Sequence, residues 1–339
     1  MNLSLSRLAP ASLVALLLLT ACPAKKDTAE TENNAASQPA LPQAPAFNPD
    51  SAYAYTAKQV AFGPRVPNTK AHVQTGDWII GQFKAAGLTV KEQPFEAMAF
   101  DGKMLKSRNI IAQYMPQAPR RIAIFTHWDT RPFADKDKEK KNAPLDGASD
   151  GASGVGIALE IARVLSQQKD AAAPGVGVDF ILFDSEDYGY DGSTQGEKKN
   201  LLGQQESWCL GSQHWAKNMV PANYKPNYGI LLDMVGAKNG RFSREDLSRQ
   251  QARDVVDKVW NTAAQLGYSD YFLFSDSPGI TDDHVFTNQA GVRTIDIIDF
   301  LPSGEFQPYH HTTQDNMSII DKRTLKAVGQ TLLTTIYAE

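Results

Sequence analysis

The chain has 339 residues, of which 42% are hydrophobic, and this size and composition fit one large globular domain or two ordinary ones. It carries 34 Lys and Arg residues against 38 Asp and Glu residues, a formal net charge of −4 at pH 7. Because binding to a phosphate backbone needs a basic surface, this balance argues against nucleic acid as the main partner. Two cysteines are too few for a disulfide scaffold or a cysteine-rich zinc module.

The N-terminal segment has the pattern of a bacterial export signal. It holds one cation, Arg7, no acidic residue and the apolar run Leu13–Leu19, which is too short to span a bilayer. The sequence Leu19-Thr20-Ala21-Cys22 is similar to a lipobox, in which the cysteine is lipidated. We therefore expect a lipoprotein signal peptide over residues 1–21 and a lipid-anchored protein of the cell envelope that faces the periplasm or the cell surface. The alternative is a plain secretory signal with an incidental cysteine.

Composition separates a tether from a folded domain. Residues 22–46 are rich in Ala, Pro, Gln, Thr and Asn and contain few large apolar residues, which predicts a flexible tether. Residues 47–339 alternate between helical and strand patterns and predict one folded domain. After removal of the signal, Cys209 is the remaining thiol besides Cys22, and we expect it to be structural.

The hydrophobic periodicity predicts alternating strands and helices along this domain. In chain order these are a helix over 72–86, strands over 88–95, 109–114 and 121–126, a helix over 154–165, strands over 176–183 and 228–234, a helix over 253–266, a strand over 292–298 and a helix over 323–337. This order favours an α/β fold, a three-layer α/β/α sandwich with a central mixed, mostly parallel sheet. Ligands should then bind beyond the carboxyl ends of the strands.

Residues that can bind a metal follow four of the predicted strands. They are His127 and Asp129 after the strand over 121–126, Asp184, Glu186 and Asp187 after the strand over 176–183, Asp233 at the end of the strand over 228–234, and His310 and His311 after a loop that follows the strand over 292–298. Asp150 lies just before the helix over 154–165. A catalytic zinc site takes about three such protein ligands and keeps one position open. The sequence therefore predicts a metal site of histidine and carboxylate ligands, although it contains no short zincin motif.

Each of these pieces also has a simpler explanation. Asp150 could be the N-cap of the following helix, and Glu186-Asp187 could belong to a solvated loop. The pair His310-His311 could be a chance surface feature. The run Asp135-Lys136-Asp137-Lys138-Glu139-Lys140 is similar to the start of a calcium loop, but it has lysine where the turn needs glycine, which predicts a solvated loop.

Several segments, taken together and in order, carry a resemblance to a known family. They are His127-Trp128-Asp129-Thr130-Arg131-Pro132, the run 146–154, Phe183-Asp184-Ser185-Glu186-Asp187, the run 208–216, Leu232-Asp233-Met234-Val235-Gly236-Ala237, Ile280-Thr281-Asp282-Asp283-His284 and His311-Thr312-Thr313-Gln314-Asp315-Asn316. With them the chain resembles, over residues 50–339, the bacterial glutaminyl-peptide cyclotransferases within the zinc-dependent M28 aminopeptidase-like family.

The resemblance implies a zinc aminopeptidase-like fold, an activity and a set of site residues. The activity is cyclisation of an N-terminal glutamine of peptides or proteins to pyroglutamate with release of ammonia, and residues 47–339 are then the catalytic domain. The implied roles are one Zn²⁺ per chain bound by Asp150, Asp187 and His311, proton transfer by Glu186, further active-site carboxylates at Asp233 and Asp282, and a substrate pocket that includes Trp128, Trp208 and His310.

One position departs from the family pattern. The family usually has tryptophan immediately before the final zinc-binding histidine, as a wall of the substrate pocket, and this chain has His310 there. The assignment of His311 is kept by the register of the Thr-Thr-Gln-Asp-Asn sequence that follows it. With His310 in place of tryptophan, the sequence does not define the shape of the pocket. His310 is also an alternative zinc ligand.

Two other functions fit the same residues. An M28-type aminopeptidase would bind two zinc ions bridged by Asp150, with His127 and Asp233 serving the second ion. The His-Trp-Asp-Thr-Arg-Pro and Trp-Cys-Leu-Gly-Ser-Gln segments favour the cyclase. A lipid-anchored protein that binds peptides without converting them is the remaining alternative, although it would have no need of Glu186.

Overall fold

The computed structural model describes residues 40–168, 173–192 and 205–339, so the predicted signal, Cys22 and most of the predicted tether lie outside the described residues. In these ranges the helices and strands are, in chain order, α1 (Pro49–Val60), α2 (Lys70–Ala85), β1 (Thr89–Met98), β2 (Met104–Tyr114), β3 (Arg121–His127), α3 (Ala152–Ser166), β4 (Gly177–Phe183), α4 (Leu210–Lys217), β5 (Gly229–Asp233), β6 (Phe242–Glu245), α5 (Asp246–Gln265), β7 (Phe272–Ser277), α6 (Asp283–Gln289), β8 (Thr294–Ile298) and α7 (Lys322–Tyr337). From Leu41 onward they belong to one compact unit.

A mixed sheet with the strand order β1-β2-β4-β3-β5-β8 lies at the centre of this unit. The strands β4, β3, β5 and β8 are mutually parallel, whereas β2 pairs antiparallel with both β1 and β4. The short strands β6 and β7 pair separately. The predicted mixed, mostly parallel sheet is therefore confirmed.

Helices cover both faces of the sheet because alternate strand residues point to opposite sides. In β3, Ile122 and Ile124 pack into the larger core with residues of α2, α3, α5 and α7, while Ala123 and Phe125 pack into a second core with Trp215 of α4. On this second side α4 also packs against α6. The predicted three-layer α/β/α architecture is confirmed. None of the helices in the described part of the chain combines the length and apolar character needed to cross a membrane.

The structure contains elements that the periodicity did not predict. The helix α1 buries the polar side chains of Thr56 and Gln59 on its inner face, so its sequence lacks the apolar stripe from which an amphipathic helix is predicted. Helix α5 begins seven residues before the predicted start, because Glu245 caps it by accepting hydrogen bonds from the amides of Leu247 and Ser248. The strands β6 and β7 and the helix α6 are only four to seven residues long, too short for a periodic signal.

The parallel strands bring their carboxyl ends to one edge of the sheet. His127, the last residue of β3, lies opposite Phe183, the last residue of β4. Asp233 ends the neighbouring strand β5, opposite Ile298 of β8. The acidic turn after Phe183 therefore lies beside His127 and Asp233, where a ligand of such a fold is expected to bind.

Candidate metal centre and active site

His311, Asp187 and Asp150, the three residues that the resemblance implies as zinc ligands, lie close together at this edge. His311 Nε2 lies 3.2 Å from Asp187 Oδ1 and 3.9 Å from Asp150 Oδ2. Ligands of a tetrahedral zinc ion with bonds of about 2.0–2.1 Å lie roughly 3.3–3.4 Å from one another. The two observed separations bracket this value, so the distance from His311 to each carboxylate is compatible with a shared ion.

A single carboxylate orders the acidic turn that follows β4. The two oxygens of Asp129 accept hydrogen bonds from the amides of Glu186, at 3.0 Å, and Asp187, at 3.2 Å. Ser185 just before them has φ +56°, so the chain turns sharply there. The turn places both Glu186 and Asp187 on the cavity wall, and the solvated loop considered for this pair is excluded.

Asp150 is held by its backbone, and its carboxylate faces His127 and His311. Asp315 accepts hydrogen bonds from the amides of Ser149, at 2.7 Å, and Asp150, at 3.1 Å. The N-cap position of α3 is occupied by Gly151 and has no side-chain hydrogen bond, so the alternative of Asp150 as an N-cap is wrong. Gly151 is required there, since a Cβ atom at this position would lie 2.5 Å from the carbonyl oxygen of His127.

The segment after His127 supports the metal ligands, and its prediction as a solvated loop is wrong for Asp135. This residue is only 3% exposed and accepts a bidentate hydrogen bond from the buried Arg131. Arg131 also donates to the carbonyl oxygen of Asp187 at 2.9 Å. Asp135 Oδ1 lies 3.8 Å from His311 Nδ1, the ring nitrogen that faces away from Asp187. At this distance the carboxylate lies behind the imidazole without a hydrogen bond to it, and Nδ1 of His311 has no hydrogen-bond partner among the described residues.

The donor set fits zinc. Two carboxylates and one imidazole are ligands that zinc accepts, and three ligands leave the open position of a catalytic site. Burial, with nearby cationic groups, lowers the pKa of His311 well below its usual value and so favours the neutral ring that binds metal. Asp187 Oδ2 is buried and has no hydrogen-bond partner among the described residues, which a bound cation would satisfy.

A second set of potential ligands adjoins the first. His127 Nε2 lies 3.0 Å from Asp150 Oδ1 and 3.1 Å from Asp233 Oδ1, and the three residues present ligand atoms within 4.8 Å of one another. Burial alone would lower the pKa of His127, but hydrogen bonds to Asp129, Asp150 and Asp233 raise it well above its usual value. A protonated imidazole would balance the two carboxylates, whereas a neutral ring would be able to bind a second ion with them.

Glu186 lies in a cluster of acidic groups on the other side of the metal ligands. The carboxylate oxygens of Glu186 and Asp282 and the sulfur of Cys209 all lie within 4.8 Å of one another. Burial, together with the neighbouring Asp282 and Asp187, raises the pKa of Glu186 well above its usual value. A carboxyl group with a raised pKa can both accept and return a proton near neutral pH.

These residues surround one cavity of about 510 Å³. Its lining includes Asp150, Glu186, Asp187, Asp233, Asp282 and His311. Trp208 and His310, which the resemblance implies as pocket residues, also line it. His310 Nδ1 lies 2.9 Å from the ammonium nitrogen of Lys136, and its ring stacks on Phe306 with centroids 3.9 Å apart. One nitrogen of His310 also lies within 4.8 Å of ligand atoms of Asp150 and His311, so His310 remains an alternative ligand.

The prediction that Trp128 lines the substrate pocket is wrong. Trp128 is fully buried, stacks on the ring of His72 with centroids 4.4 Å apart and donates from Nε1 to the carbonyl oxygen of Arg108 at 3.2 Å. It follows His127 directly, but its side chain points into the core because neighbouring residues of an extended chain face opposite sides.

We expect the variant Trp128→Phe to lower the free energy of unfolding by about 1–3 kcal/mol, because the carbonyl of Arg108 loses its buried donor. Its KM should equal that of the wild type, since the side chain does not reach the cavity. The matched variant Trp208→Phe should change KM, because Trp208 lines the cavity. Thermal unfolding and steady-state kinetics of both variants test this; a changed KM in Trp128→Phe alone would contradict the placement.

The sequence matches a known protein family over most of the folded domain. The model of peptidase family M28 matches residues 109–336. The chain belongs to peptidase family M28. The family resemblance inferred from the motifs is therefore confirmed, and the M28 match spans β2 to α7, including every proposed metal ligand.

The solved structures and the curated relative that are similar to this M28 chain are named either as a glutaminyl cyclase or as a peptidase. A glutaminyl cyclase of Bacteroides thetaiotaomicron is 48% identical, with a TM-score of 0.82 over 88% of this chain and 100% of that one. A Zn-dependent exopeptidase of Parabacteroides distasonis is 47% identical, with a TM-score of 0.83 over the same shares. Aminopeptidase YwaD of Bacillus subtilis is 25% identical over 284 residues, 81% of this chain; the chain spans about half of its length, 54%.

Proposed function

We propose that the protein is a zinc-dependent glutaminyl cyclase, which converts the N-terminal glutamine of peptides or proteins to pyroglutamate and releases ammonia. Relatives named cyclase and exopeptidase are about equally similar, so the chemistry of the site decides between them. The observation that carries the proposal is the pairing of Glu186 with Asp282 on the cavity wall, beside the metal ligand Asp187.

Cyclisation makes demands that this pairing meets. The α-amine of the substrate attacks the carbon of its own γ-carboxamide, a new C–N bond forms, and the bond to the amide nitrogen breaks. The nucleophile is already tethered, so no activated water is required. One proton must leave the α-amine and one must reach the departing nitrogen, so that ammonia and pyroglutamyl peptide are the only products.

The acidic residues of the cavity have different roles in this reaction, according to their positions. Glu186 takes the proton from the α-amine and returns it to the leaving nitrogen, since it adjoins the metal ligand Asp187 without belonging to the ligand set. Asp233 and Asp282 line the same cavity and accept hydrogen bonds from the N–H groups of the leaving amide. Burial raises the pKa of Asp233 to about 7, so this group can carry a proton near neutral pH.

One zinc per chain, bound by Asp150, Asp187 and His311, completes the proposed site. When bound, it supplies Lewis-acid polarisation of the γ-carbonyl oxygen, which makes the amide carbon more electrophilic. Arg131 supports the ligand Asp187 by donating to its carbonyl oxygen, and the carboxylate of Asp135 lies behind His311 without a hydrogen bond to it. The support for zinc is the donor set, together with the zinc-dependent exopeptidase among the similar structures.

An M28-type aminopeptidase that hydrolyses N-terminal residues is the second candidate function. The observation that favours it is the trio His127, Asp150 and Asp233, which could bind a second zinc. In a cyclase this trio remains free of metal and His127 acts as a cationic partner of both carboxylates. A protein that only binds peptides is the least favoured candidate, because Glu186 has no role in it.

Incubation of the zinc-loaded protein with a glutamine-initiated peptide tests the proposal. We expect the peptide to lose the mass of one ammonia, with no cleavage, and metal analysis to find one zinc per chain. Peptide cleavage with uptake of water and two zinc ions per chain would establish the aminopeptidase instead. If the zinc-loaded protein binds the peptide but forms no product, the remaining function is that of a protein that only binds peptides.

We also propose that the protein is lipid-anchored at Cys22 in the bacterial cell envelope, facing the periplasm or the cell surface. The proposal is supported by the lipobox-like sequence that ends at this cysteine. A membrane anchor would hold the catalytic domain near secreted or surface peptides with N-terminal glutamine. We expect the Cys22→Ser variant to appear in the soluble envelope fraction, whereas an unchanged membrane fraction would contradict lipidation at this residue.

A further inference from the structure

A thiol lies against the proposed proton-transfer residue. Cys209 Sγ is 3.2 Å from Glu186 Oε1, and ligand atoms of Cys209, Glu186 and Asp282 lie within 4.8 Å of one another. Cys209 is a free, fully buried cysteine, and no disulfide employs its sulfur in the described part of the chain. Glu186 and Asp282 line the cavity, so an ion that enters the cavity meets this cluster directly.

We propose that Glu186, Cys209 and Asp282 form a second, inhibitory site for a thiophilic divalent cation such as Zn²⁺ or Cd²⁺. One sulfur and two carboxylates are ligands that such ions prefer. Tetrahedral zinc with bonds of about 2.3 Å to sulfur and 2.0 Å to oxygen separates these two atoms by roughly 3.5 Å. The distance from Cys209 to Glu186 is close to this value.

The state of Asp282 is the independent observation that points to a cation. Asp282 is 4% exposed, its Oδ2 accepts no hydrogen bond from a donor among the described residues, and its carboxyl group lies beside that of the buried Asp296. Its other oxygen, Oδ1, accepts from the amide of Asp283 at 2.5 Å. A buried carboxylate oxygen without a partner is costly unless a proton or a cation satisfies it. The carboxyl groups of Asp187, Asp282 and Asp283 act on Glu186, and the imidazole of His127 faces it with Nδ1 4.0 Å from Oε2, the oxygen that does not contact the thiol.

Binding exchanges a proton for the metal ion. Burial and the neighbouring acids raise the pKa of the Cys209 thiol well above its usual value, so the thiol is protonated before the ion arrives. Coordination then forms a metal–sulfur bond and releases that proton to solvent. The ion would occupy the carboxylates that the proposed cyclisation requires for proton transfer, so the loss of activity rests on the proposed function, whereas the binding does not.

Metal titration of the holoenzyme tests the site. Buffered free Zn²⁺ above the level that fills the catalytic site should inhibit the wild type. The variants Cys209→Ser, which keeps the size and the hydrogen-bond donor, and Cys209→Ala should raise the inhibition constant at least 10-fold, because even the loss of an outer partner of a metal ligand costs about 10–100-fold in affinity. Rates are expressed relative to each variant's own uninhibited rate.

Added Cd²⁺ gives a readout that does not depend on turnover. The wild-type protein should develop the ultraviolet charge-transfer band of a cadmium–thiolate bond, with one Cd²⁺ ion bound per thiolate. The variant Cys209→Ser should not develop this band. Asp282→Asn should need more Cd²⁺ to reach the same band. Equal zinc inhibition of the wild type and Cys209→Ser, or Cd²⁺ binding without the band, would overturn the proposal. Failure of pyroglutamate formation with the band intact would instead refute the cyclase alone.

Discussion

The variant Glu186→Gln is expected to keep its zinc and to cyclise glutamine peptides roughly 10²- to 10⁴-fold more slowly than the wild type, the usual contribution of a general acid–base group. Glutamine preserves the size of the side chain and its backbone amide, which donates to Asp129, so the ligand Asp187 stays in place. Only the ability to take and return a proton is lost. Metal analysis and the rate of ammonia release measure the two quantities separately.

Glu96→Gln is the matched control for this variant. Glu96 is an exposed residue of the edge strand β1, and the same change there should leave the rate and the zinc content unchanged. A Glu186→Gln protein with bound zinc and a normal rate would contradict the proposed mechanism. If that protein loses its zinc instead, Glu186 is a metal ligand, and the assignment of the ligand set is wrong.

The variant His311→Ala is expected to lose its zinc and roughly 10³-fold or more of its turnover. Lewis-acid polarisation contributes several kcal/mol, and each factor of ten in rate corresponds to about 1.36 kcal/mol. The variant should also lose the stabilisation that zinc gives to the folded state. At a free zinc concentration about 100 times the Kd, the wild type should gain about 2.7 kcal/mol, and thermal unfolding with and without zinc measures this gain.

His214→Ala is the control for the second prediction. His214 lies on α4, stacks on Phe95 with centroids 4.6 Å apart, and is absent from the proposed ligand set. Its variant should bind zinc normally and become more stable when zinc is added. If His311→Ala still binds one zinc ion tightly, His310 or the trio that contains His127 holds the metal, and the double variant with His310→Ala separates these two outcomes.

Much of the fold and of the metal site follows from the sequence because both depend on regular patterns. Buried parallel strands are continuous apolar runs, so Arg121–His127 and Gly177–Phe183 are recognisable, and the residues that follow them must share one edge of the sheet. The convergence of Asp150, Asp187 and His311 is a consequence of that geometry. Their chemical types then suggest the metal.

Other features depend on contacts between segments that sequence periodicity does not encode. The charged run that begins at Asp135 has the composition of a solvated loop, yet Asp135 is buried because Arg131 pairs with it. Trp128 lies inside a recognisable motif, but its burial against the ring of His72 depends on a contact with a distant helix. The role of Asp129 and the approach of Cys209 to Glu186 are likewise visible only once the strands are assembled.

The hydrogen bonds of Asp129 have a consequence for protein engineering. Because its two oxygens hold consecutive amides, the group that moves the proton and the group that binds the metal are attached to one support. A substitution at Asp129 would displace both together, so metal affinity and proton transfer could not be tuned independently from this side. Changes of substrate preference are better sought at Phe306 and His310, which line the same cavity and make no hydrogen bond with Asp129 in the described part of the chain.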